Sequence, residues 1–68
     1  MKVSARNAFP GKIVDIKKGA TTAHVVLDVN GLKITASITN EAVDDLGLVV
    51  GGEATAIVKS SEVIVAVD

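Results

Sequence analysis

Apolar and polar residues alternate along most of the chain, and that alternation sets out its elements. Ala23, Val25, Leu27 and Val29 alternate with Thr22, His24, Val26 and Asp28 at the two-residue period of a strand with one face in a core. Asn30-Gly31 follows, a pair that accepts positive φ at both positions and so predicts a tight hairpin. It leads into Leu32, Ile34, Ala36 and Ile38 alternating with Lys33, Thr35, Ser37 and Thr39. An earlier strand is predicted from about Ala5 to Lys18, with Ile13, Val14 and Ile16 as its apolar content. Pro10-Gly11 should interrupt it, because proline cannot donate to a ladder and glycine tolerates a bulge. Lys18-Gly19 reads as the turn into the next strand.

After the third strand the period changes. Asn40 is expected to cap a short helix, Glu41 suits its positive end, and Gly47 is placed to stop it in a left-handed conformation. Val49-Val50-Gly51-Gly52 returns the chain to a fourth strand, Glu53 to Lys59, and Ser60-Ser61 turns it into a fifth, Glu62 to Val67. In that last segment Val63, Val65 and Val67 face one way and Ile64 and Ala66 the other, so both faces are apolar and at least one should meet another subunit or lie between sheets. Five short strands with one helix between the third and fourth predict an all-β fold, a five-stranded Greek-key barrel of the OB type. Such barrels hold oligonucleotides, sugars, anions and proteins, so the site has to be sought in the residues.

Composition adds a reason to expect self-association. A domain of 68 residues buries only roughly 60% of its unfolded surface. The absence of cysteine excludes disulfide staples and thiolate metal or redox sites. Hydrophobic residues make up 49% of the chain, almost all aliphatic, with Phe9 the only aromatic. No apolar run approaches the roughly 20 residues that span a bilayer, and a soluble cytoplasmic protein is expected.

The net charge of -1 gives no global pull toward nucleic acid or an anionic membrane, but the charge is uneven. Five cationic residues (Lys2, Arg6, Lys12, Lys17, Lys18) and one acid, Asp15, precede His24, whereas from Asp28 onward seven acids face only Lys33 and Lys59. Some of these lysines serve only to keep edge strands soluble. Single-strand nucleic-acid binding would need aromatic stacking platforms, and the chain has neither Tyr nor Trp. One His and scattered carboxylates lack zinc or calcium spacing and catalytic context, so no enzyme and no metal directly ligated by side chains is expected. Gly51-Gly52 lacks the lysine and following helix of a phosphate loop.

What remains is a pair of donor-rich stretches. A tetrahedral dianion requires N-H and O-H donors converging from several directions, some positive charge, and no carboxylate in contact. Ser4, Ala5, Arg6 and Asn7 supply a hydroxyl, an unobstructed backbone N-H, a guanidinium and an amide, and Lys59, Ser60 and Ser61 supply similar groups from the end of a strand. Neither stretch suffices alone, and each taken singly also reads as polar surface or turn. Together, across a subunit boundary, they would form a donor-lined pocket.

The strings S-A-R-N from Ser4, G-K-I-V-D-I-K-K-G-A-T-T-A-H-V from Gly11, E-A-V-D-D-L-G-L from Glu41 and A-I-V-K-S-S-E-V-I-V-A from Ala56 resemble the molbindins, small molybdate-binding proteins made of a single Mop domain and related to TOBE domains. The resemblance covers nearly the whole chain, with Phe9-Pro10 as a departure from its pattern, and identifies residues 1-68 as one Mop domain. It implies an OB-type barrel assembled as a homohexamer, a trimer of dimers, that binds molybdate or tungstate between subunits for intracellular storage or homeostasis, with no organic cofactor. Carried over by position, Ser4, Ala5, Arg6, Lys59 and Ser60 would hold the anion, with Asn7 and Ser61 in support. For a second oxyanion site near the threefold axis the candidates are Lys18, Gly19, Ala20 and Thr22, where a glycine turn beside lysine would expose backbone donors; an ordinary hairpin turn reads equally well. The competing function is an oligomerising regulatory or interaction module without a storage role.

Overall fold

The computed structural model describes residues 1-68. Strands β1 (Asn7–Lys18), β2 (Thr22–Val29) and β3 (Leu32–Thr39) are followed by helix α1 (Asn40–Asp45), strand β4 (Glu53–Val58) and a single 3-10 turn at Ser60–Glu62. All pairings are antiparallel, and the order across the sheet is β3-β2-β1-β4. The long β1 organises the rest. Its first half, Asn7 to Lys12, pairs with β4, and its second half, Lys12 to Lys18, pairs with β2, so one strand bends the sheet around a common interior.

The bend has two local causes. Between Ile13 and Asp15 the β1–β2 register slips, leaving Val14 as an extra residue that increases twist. Gly11 supplies the other. A Cβ at that position would lie 2.6 Å from the Asp28 carbonyl oxygen, so only glycine lets the end of β2 cross so close. The expected interruption at Pro10-Gly11 does not occur, because Pro10 stays in the ladder opposite Thr55 and Gly11 opposite Ala54. Pairing with β2 begins only at Lys12, so Pro10 has a free side where its missing N-H costs nothing.

The interior follows the alternation. Ala23, Val25 and Leu27 of β2 are buried with Ile13 and Val43, and Ile16, Ile38, Leu48, Ala54 and Ala56 pack around them half-buried. Asn30 and Gly31 adopt φ of 51° and 89°, as the predicted hairpin requires. Gly47 ends the helix at φ 64°. There Leu48 N-H donates to the Val43 carbonyl and Gly47 N-H to that of Asp44, both at 3.1 Å, the paired bonds of a Schellman stop.

The helix start differs from expectation. Thr39, in extended conformation, is the cap, its Oγ1 accepting from Ala42 N-H at 3.0 Å. Asn40 is the first helical residue and ties the helix to the β1–β2 turn, its Nδ2 donating to the Gly19 carbonyl at 3.0 Å and its backbone N-H to that of Thr21 at 2.9 Å.

The fifth strand predicted at Glu62 to Val67 is absent, and the fold has four strands. Ser60–Glu62 forms the 3-10 turn, and the chain then runs clear of both free edges. From Ile64 onward no backbone group makes a hydrogen bond. Apolar alternation expresses what a segment would bury, whereas a strand also needs an edge within reach. The sheet therefore curls into an OB-like barrel left open between β3 and β4.

Candidate functional site

Asn7 opens β1 and lies opposite Val58, the last residue of β4. Its Nδ2 donates to the Val58 carbonyl at 3.1 Å and ties the two strand ends together. Ser4, Ala5 and Arg6 lead into one strand and Lys59, Ser60 and Ser61 lead out of the other, so both stretches leave the same end of one ladder although Asn7 and Val58 are 51 positions apart in sequence. One chain thus carries both stretches at the same end of its sheet.

The donors at this end are uncommitted. The two ion pairs of the structure, Lys18 with Asp44 and Lys33 with Asp28, leave Arg6 and Lys59 without a carboxylate partner. Backbone N-H groups of Ser4, Ala5, Arg6, Lys59, Ser60 and Ser61 make no hydrogen bond, while Glu62 N-H donates to the Lys59 carbonyl at 2.9 Å and fixes the turn. Ala5 and Asn7 are half-buried; Ser4, Arg6, Lys59, Ser60 and Ser61 are exposed. None of the surface clefts of the single chain is lined by these residues. They form an open rim of donors.

The second candidate set is only partly assembled. A cleft of about 300 Å³ is lined by Lys17, Lys18, Gly19, Thr22 and His24, and Ala20 lies outside it. Gly19 does not expose its donor, because its N-H closes the turn onto the Thr22 carbonyl at 2.7 Å. The Lys18 ammonium is held by Asp44 at 2.7 Å, which offsets its charge. Lys17 and His24, outside the candidate set, also line this cleft; they face each other across the β1–β2 ladder, and counting register back from the Lys18-Gly19 turn would have placed them there.

A larger cleft of about 500 Å³ includes Lys12, Asn30, Asp28 and Glu53. The Lys33 ammonium and the Gly31 N-H both bond the Asp28 carboxylate and hold its pKa below the ordinary carboxylate value. A persistent negative charge beside Glu53 makes this cleft unsuited to an anion. No three His, Cys, Asp or Glu side chains come together as a metal cluster, and no helix is long and apolar enough to cross a membrane.

Comparison with known proteins adds to this geometry. The TOBE domain model matches residues 3–65. Molybdenum-pterin-binding protein 2 of Clostridium pasteurianum is 48% identical over 66 residues, which is 96% of this chain and 97% of that protein. Molybdenum transport protein ModE of Herbaspirillum seropedicae is 47% identical over 66 residues, 96% of this chain but 24% of its own length. Among solved structures, MopII from Clostridium pasteurianum superposes with a TM-score of 0.92 at 46% identity, covering 97% of this chain and 100% of that one. A molybdate-binding protein from Sporomusa ovata gives a TM-score of 0.92 at 41% identity, over 97% and 98% of the two chains. With its all-β fold and its match along almost the full length of the Clostridium pasteurianum and Sporomusa ovata proteins, the chain belongs to the TOBE domain family as a molbindin.

Proposed function

We propose that the protein binds molybdate or tungstate at subunit interfaces of a homo-oligomer, with residues 1-68 acting as one Mop domain in cytoplasmic storage or homeostasis of the oxyanion. The observation that carries this reading is the Asn7–Val58 tie, which seats two unpaired cations and a row of free N-H donors at one end of the sheet. Ser4, Ala5, Arg6, Lys59 and Ser60 hold the anion and Asn7 and Ser61 support it; a neighbouring copy covers the open rim, and the oligomer is a hexamer built as a trimer of dimers. The names of similar proteins support the ligand, two of them being molybdenum-pterin-binding and molybdate-binding proteins.

Affinity comes from charge-assisted hydrogen bonds, each contributing on the order of 1.5–3 kcal/mol when shielded by subunit contact. A rigid rim selects by size. Molybdate and tungstate compete closely, whereas sulfate is smaller and leaves donors out of reach. An inorganic oxyanion fits better than a pterin, since Phe9 is the only aromatic and the chain has no Tyr or Trp to sandwich a ring. Binding, and no catalysis, is the role that such a site performs. Titrating molybdate should raise the melting temperature by mass action, and Arg6→Ala should remove most of that rise. An unchanged melt across a wide molybdate range defeats the proposal.

A second reading is favoured by the match to ModE, where the matched region is 24% of a longer protein. There the unit would be an oligomerising regulatory or interaction module without storage. Equilibrium dialysis separates the two, because a pure scaffold retains no molybdate.

A further inference from the structure

One of the three asparagines is left unheld. Asn7 donates to the Val58 carbonyl at 3.1 Å and Asn40 to that of Gly19 at 3.0 Å, so both of those side chains are fixed in place. Asn30 stands exposed in the β2–β3 turn, where its side chain makes no hydrogen bond, and it alone is followed by glycine. The register of Val29 opposite Leu32 leaves only Asn30 and Gly31 in the turn, at φ of 51° and 89°. No atom lies within 4 Å of the point where a side chain on Gly31 would begin. The Gly31 nitrogen is therefore unobstructed beside the Asn30 side-chain carbonyl carbon, with which it would close a five-membered ring.

A single contact restrains that reaction. The Gly31 N-H donates to Asp28 Oδ1 at 2.8 Å, and the other carboxylate oxygen receives the Lys33 ammonium at 3.0 Å. Ring closure requires the nitrogen to give up its proton and turn toward Asn30, so this hydrogen bond has to break first. An ionised carboxylate beside the nitrogen also opposes the negative charge that develops as the proton leaves. Asp28 does not take that proton readily, because Lys33 and the Gly31 N-H hold its pKa below the ordinary carboxylate value and make it a poor base.

We propose that Asn30-Gly31 is a self-modification site, at which the chain converts its own asparagine to an aspartyl or isoaspartyl linkage, and that Asp28 is the positioning residue that slows the conversion by holding the Gly31 N-H. The Gly31 nitrogen bonds to Asn30 Cγ, the Cγ–Nδ2 bond breaks, and ammonia leaves with the proton that the Gly31 nitrogen gave up, closing a succinimide. Water then adds to either ring carbonyl. Attack at Cγ restores the ordinary linkage as aspartate, and attack at the main-chain carbonyl leaves isoaspartate, with the main chain routed through Cβ and Cγ. One water is taken up and one ammonia released, with no change in oxidation state. Either product adds a carboxylate to the cleft that Asn30 shares with Asp28 and Glu53. Isoaspartate also lengthens the two-residue turn that sets the Val29–Leu32 register. The site stands apart from the oxyanion reading and does not depend on it.

Incubating the full chain in mildly alkaline buffer, followed by peptide mapping that separates aspartyl from isoaspartyl products, tests both parts. Asp28→Ala, still folded by circular dichroism, should modify Asn30 about 10- to 100-fold faster than wild type, the factor implied by losing a hydrogen bond to a charged group. Lys33→Gln removes the ion pair but leaves the Gly31 bond, so it should follow the wild-type rate. Equal acceleration by the two variants would overturn the role of Asp28, because general loosening of the hairpin would then control the rate. Where Asp28→Ala does not fold, Asp28→Asn carries the test, since it keeps an acceptor without the charge and should still react faster than wild type. A wild-type rate in every folded Asp28 variant would overturn the restraint. Adding Asn30→Gln to the faster variant should abolish the gain, and undiminished ammonia release, or product at Asn7 or Asn40 instead, would overturn the site itself.

Discussion

Gly11→Ala puts the curvature of the sheet to a direct test. The added methyl would sit 2.6 Å from the Asp28 carbonyl oxygen and 2.9 Å from Val29 Cγ2, and the nearer neighbour is backbone that cannot rotate away. Either the end of β2 retreats and weakens the Lys12–Asp28 pairing, or β1 bends off its path. Overpacking of this kind costs about 1–3 kcal/mol, and alanine returns roughly 0.4–1 kcal/mol by narrowing the unfolded ensemble, so the net loss runs from about 0 to about 2.6 kcal/mol and centres at about 1.3 kcal/mol. For a domain of this size the central value is a fall in Tm of about 5–10 °C. The assay is thermal unfolding by circular dichroism at one fixed protein concentration, because the melt of an oligomer depends on concentration. Adding Val29→Ala should not rescue the variant, since the carbonyl contact remains. A Gly11→Ala chain melting above wild type would show only the unfolded-state gain of alanine and no overpacking cost, and would refute the close approach of β1 and β2.

Three further outcomes follow from local geometry. Thr39→Ala removes the acceptor for Ala42 N-H and should cost about 0.5–2 kcal/mol in chemical denaturation, whereas an equal loss from Asn40→Ala with none from Thr39→Ala would reverse the cap assignment. Asp28 has a pKa lowered by Lys33 and by Gly31 N-H, so its contribution is present above the ordinary carboxylate value of about 3.9 and is lost as pH falls through the lower folded value. The stability gap between wild type and Asp28→Asn should accordingly shrink as pH drops from about 6 to below about 3; a gap that stays constant would mean that the Lys33 contact does not bias the carboxylate. Lys59→Ala lies on exposed surface and should change stability by less than about 0.5 kcal/mol while weakening molybdate retention in dialysis, and normal retention would remove Lys59 from the rim.

Much of the fold was legible because local chemistry dictated it. β2 and β3 announce themselves by alternation, and Asn30-Gly31 and Gly47 take the positive φ that their residue types favour. Pro10 misled because its cost depends on which side of β1 carries a neighbour at that point, and sequence does not show where the β2 pairing begins. The segment after Glu62 misled for a related reason: its residues describe a strand, but past the 3-10 turn the chain pairs with neither edge of its own sheet. Ser4–Asn7 and Lys59–Ser61 stand out in the sequence as donor-rich stretches, yet their placement at one end of the sheet comes from the β1–β4 register alone. Lys17 and His24 were hidden in the same way, being neighbours only across a ladder.

The Asn7–Val58 tie also bears on how this unit can be multiplied. A domain that the polypeptide joins and departs at one end can be strung head to tail through a short connector, with no long return path across its surface. Tandem duplication would then place the rims of consecutive units side by side, and one covalent chain could supply both halves of a shared pocket.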